Sequence, residues 1–256
     1  MVMTLRRAVR AMYRRVAYKN WRGICPICEK QVRFFVEGSS YYRDDLFCGR
    51  CRSIPRQRAL MHVIATLYPD WRTLNIHESS SSGGGASGKL QSECSGYTAS
   101  QYLPCIPHGE SFDGFRNEDL EDQTFADETF DLVITQDVFE HLFHPDRAIA
   151  EIARTLKPGG AHIMSVPLMN KSSPSRRRSA LEGGKIVHYS EPQYHGNPVD
   201  PNGSLVTVDW GYDIASFMHQ HSGMPTSIFS IDDLTRGIRD EFNEIVVSRK
   251  QATPEV

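Results

Sequence analysis

From residue 53 onward, short apolar runs alternate with amphipathic stretches. Five runs predict buried strands, at residues 72–78, 130–136, 161–168, 226–232 and 243–250. Stretches with helical periodicity lie between them, at residues 53–68, 145–156 and 210–223. Strands that alternate with helices indicate a parallel sheet covered on both faces, with any ligand at the carboxyl ends of the strands. The last two runs lack a helix-length connection, which predicts a closing antiparallel pair.

Two glycine-containing segments interrupt this pattern. Residues 157–160, KPGG, are expected to end the helix before them. Residues 79–88 contain only Ser and Gly apart from Ala86, and they follow the first strand directly. A glycine-rich turn in this place lets backbone amides and a helix N-terminus approach a nucleotide-like ligand closely. A flexible linker has a similar composition, so the turn alone does not decide between the two.

Length and composition narrow the class of protein. The chain has 256 residues, of which 39% are hydrophobic and 23% charged, as in a soluble globular protein with one or two folded units. It has no apolar run of 18 residues, so we expect no transmembrane helix and no membrane insertion. Its first residues lack the apolar core and cleavage site of a signal peptide. We therefore expect a cytoplasmic protein with reduced cysteines.

The net charge of −2 conceals an uneven distribution. Residues 1–58 carry 14 Lys and Arg against four acids, a net charge of +10, so the remainder carries −12. A basic end can bind nucleic acid, an anionic surface or the acidic body of the same protein. Of these, we favour internal docking over nucleic-acid binding, because an acidic body disfavours RNA across its face.

Four of the six cysteines lie in the basic segment with metal-site spacing. Cys25, Cys28, Cys48 and Cys51 form C-x2-C-x19-C-x2-C, in which two CxxC turns can each present two thiolates to one metal. The residues between them are expected to form a short hairpin, the frame of a zinc ribbon. Such a closed site is structural. The alternatives are two redox pairs or four unrelated thiols, and Cys94 and Cys105 are expected to be packing cysteines.

The first 20 residues have the pattern of a basic amphipathic helix. Apolar residues recur at Leu5, Val9, Met12 and Val16, and arginines occupy the other faces. This helix is expected to dock on the rest of the protein, with RNA or membrane contact as alternatives. The predicted organisation is a leader helix at residues 1–20, a zinc ribbon at 21–58 and a larger domain at 59–256.

The segment at residues 125–167, FADETFDLVITQDVFEHLFHPDRAIAEIARTLKPGGAHIMSVP, resembles class I S-adenosylmethionine-dependent methyltransferases of the methyltransferase type 11 kind. The resemblance implies an α/β, Rossmann-like sheet of seven mostly parallel strands with helices on both faces. It also implies S-adenosylmethionine as cofactor. Together with the four cysteines, the chain resembles a zinc-ribbon-bearing bacterial methyltransferase.

The resemblance also implies a set of cofactor-binding residues, with two departures from the family pattern. The family's first strand ends in an acidic residue, and that position falls near Asn75 here. Glu78 either replaces this acid or only caps the turn. The second strand ends in Ser100 and Gln101 in place of an acid that holds the ribose hydroxyls. Asp119 and Leu120 match the adenine contacts, and Gln136 and Asp137 should lie beneath the methionine part. The full set is Asn75, His77, Glu78, Gly83, Gly84, Gly85, Ser100, Gln101, Asp119, Leu120, Gln136 and Asp137.

Candidate catalytic residues follow the fourth strand and lie in a long insertion at residues 169–209. His141 is the proposed general base, with Glu140 to orient it, and the alternative is a packing role. The insertion is expected to form an acceptor lid in which His195 touches substrate. His188, Glu191 and His195 share no regular face, which disfavours a metal site made from them. Residues 176–178, all arginine, offer an anion site or a solvated surface.

With the resemblance, these features imply methyl transfer to an oxygen or nitrogen of a small polar or sugar-like metabolite, with S-adenosylmethionine as donor. The cysteine spacing adds a structural Zn²⁺. One alternative is an RNA base methyltransferase, which the basic first 58 residues favour. The other is a non-catalytic zinc adaptor with a degenerate cofactor site, which the departures at Asn75 and Ser100 favour. The expected partner is a small-molecule acceptor, RNA is a less favoured one, and a homodimer is an open alternative.

Overall fold

The structure of the protein, a computed structural model, describes residues 20–37, 41–197 and 200–252. The predicted leader helix therefore lies outside the described residues apart from Asn20, and the division at residues 20 and 58 remains a prediction. No helix in the described part of the chain has both the length and the apolar character needed to cross a bilayer.

The described residues begin with a small antiparallel sheet. Its strands are β1 (Asn20–Ile24), β2 (Gln31–Val36) and β3 (Leu46–Cys48), in that spatial order. A one-turn helix, α1 (Tyr42–Asp45), precedes β3 and takes up much of the segment predicted as the second arm of a hairpin. We call β1 to β3, with α1 and the four nearby cysteines, the ribbon.

The rest of the chain is an alternation of helices and strands followed by several short strands. The helices are α2 (Pro55–Leu67), α3 (Gly85–Glu93), α4 (Pro145–Thr155) and α5 (Ile214–Ser222), with a 3₁₀ turn at Trp71–Thr73. The strands are β4 (Asn75–Ser79), β5 (Gly96–Gln101), β6 (Ser111–Phe112), β7 (Phe115–Asn117), β8 (Phe130–Gln136), β9 (Leu156–Ser165), β10 (Leu168–Asn170), β11 (Arg176–Arg177), β12 (Ser179–Glu182), β13 (Lys185–His188), β14 (Tyr194–His195), β15 (Ser204–Leu205), β16 (Val208–Gly211), β17 (Thr226–Phe229) and β18 (Ile245–Arg249).

One large sheet organises the body of the protein. Its strand order is β17-β18-β9-β8-β4-β5-β7-β6. Strands β9, β8, β4, β5 and β7 are parallel to their neighbours in this run, whereas β18 is antiparallel to both β9 and β17. The predicted fold class, a mostly parallel α/β sheet with a closing antiparallel pair, is confirmed. The two-residue strand β6 adds an eighth strand at the edge.

Two element boundaries differ from the sequence-based expectation. The KPGG segment does not separate α4 from the next strand, because β9 already begins at Leu156 and pairs with Phe130 of β8. The register then shifts, and regular pairing resumes at Ala161. The predicted helix at residues 210–223 begins only at Ile214, because the preceding residues pair as β16 with β10 and β11. Both differences arise from pairing between strands, which local periodicity does not report.

Residues 169–209, which we call the lid, are built from short strands. β10, β16 and β11 form one small sheet, and the hairpins β12–β13 and β14–β15 form two more. Backbone N–H groups of Thr207 and Val208 donate to the carbonyl of Glu140, at 2.7 and 3.3 Å. The lid is therefore anchored to the segment that follows β8, at the carboxyl end of the central sheet.

The core forms two clusters of buried residues, on opposite faces of the sheet. One joins the ribbon to α2, α3 and the sheet, through residues such as Phe34, Leu46, Leu60 and Leu132. The other joins α4, α5 and the lid to the opposite face, through residues such as Ile149 and Trp210. The ribbon shares its apolar core with the body, so the two parts are expected to stabilise each other.

Arg58 is the most deeply buried charge at this junction. Its guanidinium, which is 0% exposed, donates to the carbonyls of Ser53, Leu46 (2.7 Å) and Gly237 (3.0 Å from Nε). It also lies over the Phe34 ring, 4.9 Å from the centroid. One side chain thus satisfies buried carbonyls of the ribbon, of its connection to α2 and of the loop before β18.

Replacing Arg58 by Met should lower the free energy of unfolding by about 3 kcal/mol, because it removes the hydrogen bonds that this side chain donates to buried carbonyls. Urea unfolding followed by circular dichroism measures this. The matched control is Arg50→Met, since Arg50 is exposed. Equal stability of the two variants would contradict the assigned role.

Candidate functional site

The four ribbon cysteines converge on one point. Cys25 and Cys28 follow β1, and Cys48 and Cys51 lie at the end of β3 and just after it. The Sγ atoms of Cys25 and Cys51 are 3.7 Å apart, those of Cys28 and Cys48 are 3.9 Å apart, and all four lie within 4.8 Å of one another. A tetrahedral zinc with Zn–S bonds of about 2.3 Å needs sulfur–sulfur separations of about 3.8 Å. The four thiols therefore have the geometry of a closed metal site.

The other two cysteines lie elsewhere and differ from each other. Cys94 is buried, and its thiol donates to the carbonyl of Leu74 at 3.2 Å. Cys105 is exposed, so the expectation that it packs in the core is wrong.

Asp137 connects the ribbon side of the molecule to the carboxyl edge of the sheet. It follows β8 with a left-handed backbone (φ 52°). Its Oδ2 accepts from Arg43 Nη2 at 2.9 Å and lies 3.0 Å from Arg56 Nε. Burial by itself would raise the pKa of the Asp137 carboxyl, but the two arginines outweigh it and lower that pKa. Asp137, which was expected beneath a cofactor, is thus held by residues of the ribbon and α2.

Glu78 is the acid that the structure places at the carboxyl end of β4. Its Oε1 accepts from Ser87 at 2.7 Å and from Gln136 Nε2 at 2.6 Å, and its Oε2 accepts from the Tyr97 hydroxyl at 2.6 Å. Burial raises the pKa of this carboxyl, and the three donors oppose the shift. Glu78 therefore ties β4, β5, β8 and α3 together at this edge.

The glycine turn between β4 and α3 has two different parts. Gly83 and Gly84 face open space, because a Cβ at either position would meet no atom within 4 Å. Gly85 opens α3 with φ 56°, and a Cβ there would collide with the Gln57 side chain of α2. The first-turn amides of α3 thus lie next to an open patch of backbone beside Glu78.

Four other predicted cofactor residues do not present side chains to this open patch. Asn75 begins β4 at the opposite end of the strand from the glycine turn. His77 is completely buried, and its Nε2 lies 2.8 Å from the Ser100 hydroxyl. Gln101 uses its amide to donate to the carbonyl of Ser81 at 2.9 Å. Ser100 and Gln101 therefore satisfy their polar groups inside the protein.

The remaining predicted cofactor residues lie at or near the carboxyl edge. Gln136 is partly exposed and reaches Glu78. Asp119, also partly exposed, accepts from the Glu121 amide at 2.8 Å, and Leu120 is buried in the second core cluster. The side chains of Glu78, Gln136 and Ser87 are therefore joined by direct hydrogen bonds.

A second polar cluster lies between the end of β8 and the lid. His141 Nε2 and His195 Nδ1 each lie 3.8 Å from Glu140 Oε1, and the two rings meet edge to face with centroids 5.1 Å apart. We call Glu140, His141 and His195 the acceptor cluster. The two predicted catalytic histidines thus meet, with Glu140 as the buried partner of both. The adjacent Glu-His pair in the sequence was the signal for Glu140.

Three other polar residues singled out in the lid contact either the lid itself or the segment after β8. His188 Nδ1 lies 2.9 Å from the Ser179 hydroxyl. Arg178 pairs with Asp209 at 2.9 Å, and Arg177 donates to the carbonyl of Phe143 at 3.2 Å. These two arginines therefore contact the protein itself.

Comparison with known proteins finds a family match over part of the chain. Residues 101–164 match the family model described as a methyltransferase domain. The chain is a methyltransferase. The matched segment includes β8 and α4 and most of β9, and it ends before the lid. A search of curated proteins finds no match.

Three solved structures illustrate the likeness in fold of the enzyme. A chain of the complex between the Haloferax volcanii Trm112 methyltransferase activator and a methyltransferase matches with TM-score 0.50 and 16% identity, over 78% of this chain and 92% of that chain. An S-adenosylmethionine-dependent methyltransferase from Mesorhizobium loti gives 0.49 and 15%, over 75% and 98%. The 1,6-didemethyltoxoflavin-N1-methyltransferase of Burkholderia thailandensis gives 0.49 and 10%, over 77% and 78%. At these identities the likeness concerns the fold alone.

Two buried histidines in strands of the large sheet, His77 in β4 and His162 in β9, generate a pH prediction. Burial, with a smaller contribution from Arg116, lowers the pKa of His77 to about 3, and burial likewise lowers the pKa of His162 to about 3. Each is neutral in the folded protein, whereas the unfolded chain takes up a proton below about pH 6.5. The contribution of each histidine to the free energy of unfolding is therefore fully present above that pH, and it is lost as the pH falls toward 3.

Between pH 7 and pH 5 each of these histidines should cost about 2 kcal/mol of stability. His77→Gln should reduce this loss by that amount, whatever its effect at pH 7, and urea unfolding at both pH values measures it. The exposed His219→Gln is the control and should keep the wild-type pH slope. An unchanged slope in His77→Gln would show that His77 does not titrate as a buried neutral group.

Proposed function

We propose that the enzyme transfers a methyl group from S-adenosylmethionine to an oxygen or nitrogen of a small polar or sugar-like molecule. The observation that carries the proposal is the order of groups along the carboxyl edge of the sheet. The open glycine turn follows β4 and lies beside Glu78, which is hydrogen-bonded to Gln136 at the end of β8. The acceptor cluster begins at Glu140, a few residues beyond that end of β8. The proposed donor and acceptor sites therefore both adjoin the carboxyl end of β8, and direct transfer requires such sites to be close together.

The residues at the glycine turn fit the cofactor in part. The open backbone of Gly83 and Gly84 and the first turn of α3 suit close approach of a polar ligand. Gln136 and Asp119 are partly exposed and are the side chains proposed to contact it, with Leu120 beneath. Ser100 and Gln101 are turned inward, so we do not propose them as ribose contacts.

S-adenosylmethionine, when bound, supplies a methyl group on a sulfonium that is already a good leaving group. The protein then needs to align the acceptor, keep water out and take a proton from it. The acceptor cluster suits the last task, because imidazole is a base that works near neutral pH. His141 is held by its Nδ1, which lies 2.9 Å from the carbonyl of Leu205, so its Nε2 faces Glu140 and the acceptor side.

The contacts of the ribbon side favour a small acceptor over RNA. Arg43 and Arg56 pair with Asp137, and Arg58 is buried among carbonyls. These cations are therefore used inside the protein and do not form a surface for phosphates. RNA binding that weakens steeply with salt would instead support the RNA methyltransferase alternative.

We further propose that the ribbon cysteines hold a structural Zn²⁺. Purified protein should contain about one zinc per chain, and Cys48→Ser should lose it and unfold at a lower urea concentration, because the ribbon shares the body core. Metal analysis and urea unfolding measure the two effects. Cys105→Ser, at an exposed cysteine, is the control and should keep both properties. Full zinc content in Cys48→Ser would contradict the site.

Gly84→Val tests the donor site. A Cβ at Gly84 meets no atom within 4 Å, and φ is −121°, so we expect the variant to fold. It would nevertheless fill the open patch, and we expect at least a tenfold loss of affinity for S-adenosylhomocysteine by calorimetry.

Gly196→Ala is the matched control, since its Cβ also meets open space. It should bind S-adenosylhomocysteine like the unaltered enzyme. Wild-type affinity in Gly84→Val would place the donor elsewhere. No heat and no thermal stabilisation of the unaltered enzyme would favour the adaptor alternative.

A further inference from the structure

A buried carboxylate without a hydrogen-bond partner lies at the centre of the acceptor cluster. Glu140 is 2% exposed, and neither carboxyl oxygen has a hydrogen-bond partner among the described residues. A buried carboxylate in this position is costly unless it is protonated, paired with a cation or bound to a metal. The nearest groups are the two imidazoles at 3.8 Å, beyond hydrogen-bond distance.

The spacing of the three donors suits a single ion between them. One ligand atom from each of Glu140, His141 and His195 lies within 4.8 Å of the others. Bonds of about 2.0–2.2 Å from nitrogen or oxygen to a metal allow two donors on the same ion to stand about 4 Å apart. The observed 3.8 Å separations from Glu140 Oε1 fall inside that limit.

His141 has the orientation of a metal ligand. Its Nδ1 is 2.9 Å from the carbonyl of Leu205, so Nδ1 carries the proton and the lone pair of Nε2 faces Glu140. Metal-binding histidines are commonly oriented by such a bond from the other ring nitrogen. Leu205 belongs to β15, which pairs with β14 and hence with His195. The same hairpin therefore orients one imidazole and supplies the other.

We propose that Glu140, His141 and His195 bind a divalent transition-metal ion, at a site separate from the ribbon cysteines. Two imidazoles and one carboxylate suit ions such as Mn²⁺, Fe²⁺, Co²⁺ or Zn²⁺. Three protein ligands leave at least one coordination position open. A cavity of about 20 Å³ adjoins Glu140 and His195, which is room for one water or one oxygen of a ligand.

The role of this ion in catalysis rests on the proposed function. An acceptor hydroxyl bound at the open position would lose its proton to solvent more readily, since the cation stabilises the oxyanion. The oxygen then forms a bond to the methyl carbon as the carbon–sulfur bond breaks, and the sulfur keeps that electron pair. His195, whose side chain is 37% exposed, lies on the side from which the acceptor can enter.

Metal binding by the full-length protein tests the site without measuring activity. The ribbon metal is left in place, Mn²⁺ is added, and the signal of free Mn²⁺ is followed by electron paramagnetic resonance. Calorimetry with added Zn²⁺ provides a second probe. We expect one further ion per chain, and Glu140→Gln should weaken its binding at least tenfold.

Glu182→Gln is the matched control, because Glu182 is an exposed lid carboxylate that contacts Tyr189. It should bind the ion like the unaltered protein. His195→Ala, at the partly exposed end of the cluster, should also weaken metal binding. This variant replaces Glu140→Gln as the test if Glu140→Gln does not fold. The proposal would be overturned if neither Mn²⁺ nor Zn²⁺ bound at a further site, or if Glu140→Gln bound the ion as tightly as the unaltered protein.

These outcomes are independent of the donor site. Failure to bind S-adenosylhomocysteine would reject the proposed methyl transfer and leave the metal site standing. Failure to bind a metal, with normal S-adenosylhomocysteine binding, would leave methyl transfer with His141 as the base.

Discussion

The structure depends above all on how the end of β8 and the residues after it are held. The Gln136 amide donates to the Glu78 carboxylate at 2.6 Å, and the Asp137 carboxylate accepts from Arg43 at 2.9 Å. The backbone carbonyl of Glu140 accepts from the Thr207 N–H of the lid at 2.7 Å. Three different parts of the molecule thus attach to one short segment at the carboxyl end of a central strand. A change at any of these contacts is felt at the proposed donor and acceptor sites, because they share the same backbone.

The Asp137 contact accounts for a small part of the charge asymmetry of the chain. This partly buried carboxylate is paired with two cations, one from the ribbon and one from α2. Arg58 provides the complementary case, a buried cation satisfied by carbonyls and by the Phe34 ring. Part of the basic character near the N-terminus is therefore matched inside the protein, and the ribbon contacts the carboxyl edge of the sheet where the donor and acceptor sites are proposed.

The two polar clusters differ in how well their groups are satisfied. Glu78 has a donor for each oxygen, so it holds the strands and the glycine turn in place. Glu140 lacks a hydrogen-bond donor on either oxygen among the described residues, although it is equally buried. A fully bonded carboxylate supports structure, whereas an unbonded one between two imidazoles is suited to receive a cation. This contrast separates a positioning group from a candidate binding group.

Several features followed from the sequence by itself. The alternation of apolar runs and helical periodicity predicted the sheet and its closing antiparallel pair, because both are local patterns that burial imposes. The CxxC spacing predicted that four thiols would meet, and the Glu-His pair after β8 marked two of the three residues of the acceptor cluster.

Other features were decided only by the tertiary structure. The family resemblance implied an acid position near Asn75, but Glu78 lies near the carboxyl end of strand β4 and Asn75 at the other end. The meeting of His195 with Glu140 depends on a lid hairpin pairing far along the chain. The partner of Asp137 lies in the ribbon and α2. Local propensity cannot report such contacts, because they arise from distant segments that only the packed fold brings within hydrogen-bond distance.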